Sequence, residues 1–151
     1  MSSRRTFIHK AAAGVAGLSL TQHAFASIIV PQRKERLGVA LVGLGYYSTD
    51  LLAPGLQKTQ HCHLAGIVTG TPSKAETWKK QYNIPDKNRY NYDNFDSIAN
   101  NPDIDVVYVV LPPSMHAEYT IRAAKAGKHV WCEKPMAMSE EECRQIVIVH
   151  S

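Results

Sequence analysis

Four runs of apolar residues recur along the chain at the intervals expected of strands that alternate with helices. Leu37–Val42 is a continuous apolar run with one glycine, ending in Gly43-Leu44-Gly45, and Leu64–Val68, Val106–Leu111 and His129–Cys132 repeat the pattern. Runs without polar alternation suit strands buried on both faces of a parallel sheet. Between them the spacing predicts helices. Ser73-Lys74-Ala75-Glu76 reads as a capping box opening a helix to Tyr82: the serine accepts from the amide three residues on and the glutamate reaches back. Ser114–Ala126 is helical by pattern, with Tyr119, Ala123 and Ala126 on one face and Gly127 as its stop. Ser139-Glu140-Glu141-Glu142 is a second capping box, before a last helix. Pro54 falls inside the first helix, where the missing N–H should kink it or end its first turn. Regular alternation of strand and helix implies an α/β fold with a doubly wound parallel sheet and right-handed crossovers.

Composition changes this picture at one end of the chain. The 151 residues are 44% hydrophobic and 20% charged, a globular balance. A net charge of +4 would by itself raise the question of a nucleic-acid partner. The excess sits in residues 1–26, which hold Arg4, Arg5 and Lys10 and no acid, leaving 14 bases against 13 acids in the remainder. No nucleic-acid partner is therefore expected. Residues 1–26 resemble an export signal, with a basic start, an apolar run Ala11–Leu20 and Ala24-Phe25-Ala26 as the cleavage site. Ser3-Arg4-Arg5-Thr6-Phe7-Ile8 resembles the twin-arginine motif, with His9 where a lysine is usual. The expectation is a periplasmic protein, exported folded by the twin-arginine machinery and cut after Ala26. The apolar run is shorter than the ~20 residues a bilayer requires, so stable membrane insertion is not expected.

Gly43-Leu44-Gly45-Tyr46-Tyr47-Ser48 places G-x-G directly after a strand and before a helix, with Ser48 where the third small residue of G-x-G-x-x-G stands. The first glycine permits a tight turn, and the second lets a pyrophosphate approach the backbone at a helix N-terminus. A site for NAD ends its second strand in a carboxylate that binds the ribose 2′-hydroxyl. Here Val68 is followed by Thr69-Gly70-Thr71, with Lys74 shortly after. Hydroxyls and a lysine suit a 2′-phosphate, so NADP is the favoured cofactor and NAD the other possibility. Alternatively, Thr69 and Thr71 cap the next helix and Lys74 is a solvated charge. Residues 27–36 then read as a linker, and 37–151 as a Rossmann-type NAD(P)-binding domain. His61-Cys62-His63 has the look of a metal cluster, but alternate residues of a strand give at most two ligands on one face, so no metal is expected. Of Cys62, Cys132 and Cys143, one pair could form in an oxidising compartment, but Cys132 and Cys143 are expected as small apolar residues, and Tyr82, Tyr90 and Tyr108 as packing.

Cys132-Glu133-Lys134-Pro135 follows the fourth apolar run. Taken with Val42-Gly43-Leu44-Gly45 and Leu111-Pro112-Pro113-Ser114-Met115-His116-Ala117-Glu118, it resembles the Gfo/Idh/MocA family of NAD(P)-dependent oxidoreductases, most closely the family's glucose-fructose oxidoreductase branch. The resemblance implies that Gly43, Leu44, Gly45 and Tyr46 line the pyrophosphate, and that Thr69, Gly70, Thr71 and Lys74 hold the adenosine ribose and its phosphate. It implies a cofactor contact from Tyr92. Leu111, Pro112, Ser114 and His116 would border the nicotinamide ribose, with Glu133 beside them. Lys134 would be catalytic, reaching the substrate hydroxyl, where an ammonium stabilises the developing negative charge. The implied activity is hydride transfer between a sugar hydroxyl carbon and nicotinamide, in a homo-oligomer when full length. The family's C-terminal α/β substrate domain is absent from these residues, so 37–151 is expected to be truncated and inactive alone. Two further functions stay open: an NAD-dependent glycosidase of the same family, and a non-enzymatic nucleotide-binding module.

Overall fold

The computed structural model describes residues 34–150. The export signal expected at 1–26 and most of the 27–36 linker lie outside them. The end of that linker is tied down: Lys34 Nζ donates to the Pro102 carbonyl and to Asp105 at 2.7 Å, and Arg36 donates to the carbonyls of Thr59 and Cys62.

Five strands form one all-parallel sheet: β1 (Leu37–Val42), β2 (Cys62–Val68), β3 (Arg89–Tyr90), β4 (Val106–Val109) and β5 (His129–Cys132), in the order β3-β2-β1-β4-β5. Val39–Val42 of the central strand are 0% exposed, because alternate side chains feed two separate cores. On one face, Val39 and Leu41 join Ile67 and Val106 under Ala53 and Leu56 of α1 (Ala53–Leu56) and Trp78 of α2 (Pro72–Tyr82). On the other, Ala40, Val42, Val107 and Val109 pack with Tyr119 and Ala123 of α3 (His116–Lys125) and with Phe95 and Ile98. A last helix, α4 (Glu140–His150), packs on α3. The expected doubly wound architecture is therefore the observed one. Its strand order reverses at β1, whose loop and that of β4 meet at the sheet's C-terminal edge.

Local expectations are corrected at four points. The apolar runs do not reveal β3, because it is two residues long and pairs only through Ile67↔Arg89 and Val68↔Tyr90. The Ser73–Glu76 capping box does not form. Helix α2 begins one residue earlier at Pro72, with Thr71 as an N-cap that makes no side-chain bond, and Glu76 turns outward to Arg89. Of the Ser139 box only half is present: Ser139 Oγ accepts from Glu142 N at 3.2 Å, while the Glu142 carboxylate reaches Met138 N at 2.7 Å. Pro54 does not end its helix: residues 46–56 are helical throughout, and the winding is π-helical over Ser48–Leu52, closed by Ala53 N donating to Ser48 O. The missing N–H of Pro54 thus falls just after a stretch where the ladder has already slipped by one residue, a local distortion of the kind a proline in a helix brings.

Three carboxyls are held below their ordinary pKa: Glu76 by hydrogen bonding to Arg89, Asp86 by Lys79 and Asp103 by Lys87. A carboxyl with a lowered folded pKa adds stability above its unfolded value and loses it as pH falls through the folded one. These side chains are open to solvent and screened, so the melting temperature should fall only modestly from about pH 4 downward, and Asp103→Asn should flatten that slope. An unchanged slope in thermal scans would remove Asp103 from the account.

Candidate cofactor-binding site

The chain leaves β1 at Gly43 with φ +91°, a conformation costly for any residue with a Cβ. Space forbids one as well: a Cβ there would lie 2.3 Å from the Val110 carbonyl oxygen and 2.9 Å from Leu111 Cδ2. The β1 and β4 loops are thus in backbone contact. Gly43 N donates to Val68 O at 3.0 Å, and the buried Ser48 hydroxyl donates to Gly43 O at 2.6 Å. Ser48, read from sequence as merely small enough to fit, is a fastener of the turn. Gly45 is the opposite case, since a Cβ on it would meet no atom within 4 Å. Its backbone is bare, as approach of a pyrophosphate requires.

Leu44, Gly45 and Tyr46 share a cleft of about 350 Å³ with Ser73 and Lys74 of α2. Lys74 is exposed, and its ammonium donates across that cleft to Leu44 O at 3.1 Å. The capping alternative for the threonines does not hold: Thr69 Oγ1 accepts from Thr71 N at 3.2 Å, and Thr71 makes no cap bond. Gly70 is exposed, and a Cβ there would meet the Tyr92 ring at 3.0 Å, so Tyr92 packs directly over the β2 loop. Burial pushes the Tyr92 hydroxyl pKa up. The one carboxylate on the cleft, Asp50, belongs to the π-helical turn and not to the end of β2. The site therefore fits a dinucleotide, and the end of β2 is followed by Thr69 and carries no carboxylate.

The β4 and β5 loops stand at the same edge of the sheet. Leu111 is half-buried, while Pro112 and Ser114 are exposed. Glu133 N donates to Val109 O at 3.1 Å, and the Glu133 carboxylate accepts from Tyr108 OH at 2.5 Å. Burial first, then that bond, drives the Tyr108 hydroxyl pKa far above its ordinary value. Tyr108 is the functional neighbour that sequence reasoning assigned to packing. A signal was present: Tyr108 pairs with Trp131, and Glu133 lies two residues further along the same face. Lys134 is exposed, and it borders an apolar hollow of about 610 Å³ between β5, α3 and α4. His116 does not present its ring to the cleft as expected. It is 1% exposed, with Nδ1 2.7 Å from Pro135 O and Nε2 2.7 Å from Leu111 O. Among the described residues, no group of three or more His, Cys, Asp or Glu could hold a metal.

Sheet order, bare glycine and flanking loops define a dinucleotide-binding domain of the Rossmann class. The chain belongs to the Gfo/Idh/MocA family, an oxidoreductase family with an NAD-binding Rossmann fold, which matches residues 37–149. An aldose-aldose oxidoreductase from Caulobacter crescentus, solved with glycerol, is similar with a TM-score of 0.75 and 48% identity, over 76% of this chain and 34% of that one. Scyllo-inositol dehydrogenase from Lactobacillus casei, solved with NAD(H) and scyllo-inositol, gives 0.65 and 29%, over 76% of this chain and 32% of that one. A glycosyl hydrolase family 109 protein from Shewanella baltica is 29% identical over 95% of this chain and 36% of its own length. The chain thus spans about a third of the length of these relatives. Their variety places the likeness at the level of the family, not of its glucose-fructose branch.

The two glycines should separate in mutagenesis. Gly43→Ala should cost about 2 kcal/mol or more in denaturant unfolding, from its backbone conformation and the clash with Val110. Gly45→Ala should leave stability within about 0.5 kcal/mol but weaken dinucleotide binding in calorimetry. Equal stability losses would contradict the assignment. Ser48→Ala should cost about 1 kcal/mol, through the orphaned Gly43 carbonyl.

Proposed function

We propose that this chain is the cofactor-binding half of an NADP-dependent sugar oxidoreductase of the glucose-fructose type. The observation that carries the reading is the convergence on one sheet edge of a bare glycine turn, a lysine in the first turn of α2 that reaches that glycine turn, and the Glu133-Lys134-Pro135 loop. The nicotinamide ring, when bound, supplies the acceptor or donor of the hydride. Gly45 would leave its backbone open to the pyrophosphate, and Lys74 would swing from Leu44 O to a 2′-phosphate. Glu133, held by Tyr108, would face the nicotinamide ribose beside Leu111, Pro112 and Ser114. Lys134 would donate a hydrogen bond to the reacting sugar oxygen and stabilise its developing charge. The substrate class is inferred from relatives named for aldoses and an inositol.

The likeness to a glycosyl hydrolase family protein over 95% of the chain favours one second reading, a glycosidase that borrows and returns the hydride. That reading requires NAD and a free sugar released from a glycoside. We further propose export by the twin-arginine route from residues 1–26, with assembly into a homo-oligomer when full length.

In the full-length protein, Lys134→Ala should lower sugar-dependent nicotinamide reduction by at least about 100-fold while leaving cofactor binding intact. Normal turnover would sink the role. Lys74→Ala should raise the Kd for NADPH about tenfold and leave that for NADH unchanged, the loss of one charge-assisted bond. Equal weakening of both would argue for NAD. Replacing Arg4 and Arg5 with lysine should hold the protein in the cytoplasm on cell fractionation, and undiminished export would remove the twin-arginine assignment.

A further inference from the structure

We propose that His116 is a positioning residue, a buried ring that yokes the β4 loop to the loop carrying Lys134. The inference rests on the functional reading of Lys134 given above. Carbonyl oxygens only accept hydrogen bonds, and His116 meets one at each ring nitrogen, Pro135 O at Nδ1 and Leu111 O at Nε2, both at 2.7 Å. The ring N–H donates to one of these oxygens, and the other ring nitrogen rests against the second, so the imidazole spans both loops. At 1% exposure, water has no room to mediate.

The two carbonyls belong to different walls of the site. Leu111 follows β4 and borders the Gly43 turn, while Pro135 immediately follows Lys134. Glu133, on the other side of Lys134, is fastened from the opposite face of the sheet by Tyr108 OH and by Val109 O. Lys134 is thereby held through both of its chain neighbours while its own side chain stays exposed. Such an arrangement fixes where the lysine leaves the backbone without engaging its amine. An ordinary core histidine would fill space there, and a ring of similar size would replace it.

Two measurements test this. In the wild-type protein labelled with ¹⁵N-histidine, the His116 ring N–H should be observable and protected from exchange with water, as a buried hydrogen-bonded proton is. A His116 ring proton that exchanges as fast as those of exposed histidines would overturn the yoke, and this readout needs no variant to fold and no activity. In the full-length protein, His116→Gln and His116→Phe should lower kcat at least about tenfold while the KM for the cofactor stays within about twofold, since the pyrophosphate and adenosine contacts lie elsewhere. Glutamine, which keeps one N–H₂ group, should retain more activity than phenylalanine. Melting curves run alongside identify a variant that has merely lost its fold. Variants with reduced melting temperature but unchanged kcat would make His116 a packing residue and overturn the positioning role. If Lys134→Ala turns over normally while the His116 ring proton proves protected, the functional reading falls and the yoke stands as a structural link.

Discussion

The close crossing of two backbones at Gly43 is the constraint on which the rest of this domain depends. At that point the strand order reverses, so the loop leaving β1 must pass the loop leaving β4 with no side chain between them. A Cβ would lie 2.3 Å from Val110 O, and the backbone sits at φ +91°, so space and conformation demand glycine together. Ser48 on one side and Val68 on the other pin the peptide in place. The same crossing brings Leu44 and Gly45 to the edge where the β2, β4 and β5 loops also end. A parallel sheet with a reversal in strand order opens a crevice there, and loop chemistry decides what fills it.

The parts legible in sequence were those where one physical demand dominated. Burial on both faces makes a strand continuously apolar, and Val39–Val42 at 0% exposure show why β1 stood out. Close backbone approach requires glycine, so the turn at Gly43 was also visible. Illegible features arose where two demands competed. Ser73 and Glu76 satisfy the spacing of a capping box, but Pro72 starts the helix without needing a donor, and Arg89 offers Glu76 a charged partner. The π-helical turn before Pro54 leaves no mark in the pattern, since it changes only which carbonyl accepts. β3 is defined wholly by its neighbour β2. Tyr108 and His116 were placed by type in sequence, as packing and as a cofactor contact, whereas their polar atoms turn to one loop from opposite faces.

Those two residues show how a site can be stiff at the backbone and free at the side chain. Short loops at strand ends have few apolar contacts to hold them, so polar fasteners set their geometry. Here a phenol and an imidazole reach out of the two cores to the residues flanking Lys134. Each fastener is anchored by the element beneath it, Tyr108 in β4 and His116 at the start of α3. The fold's interior thereby sets where the Lys134 side chain leaves the backbone, which an exposed loop could not do alone.

The electrostatics of the β2 end follow the same division between paired and unpaired groups. Glu76 stands only two residues beyond Lys74, and a free carboxylate there would oppose a phosphate. It is instead bonded to Arg89, which also pairs with Asp86 at 2.5 Å, and Lys79 closes the cluster on Asp86 at 2.7 Å. Both carboxyls are held below their ordinary pKa, so they stay ionised and matched by cations. Lys74 lies outside that cluster, with an uncharged carbonyl as its recorded partner. A carbonyl is a weaker partner for an ammonium than a phosphate dianion. Exchanging one for the other would therefore favour a bound 2′-phosphate, while the neighbouring acid is already committed elsewhere. Selection for a 2′-phosphate in this arrangement would come as much from where Arg89 draws Glu76 as from Lys74 itself.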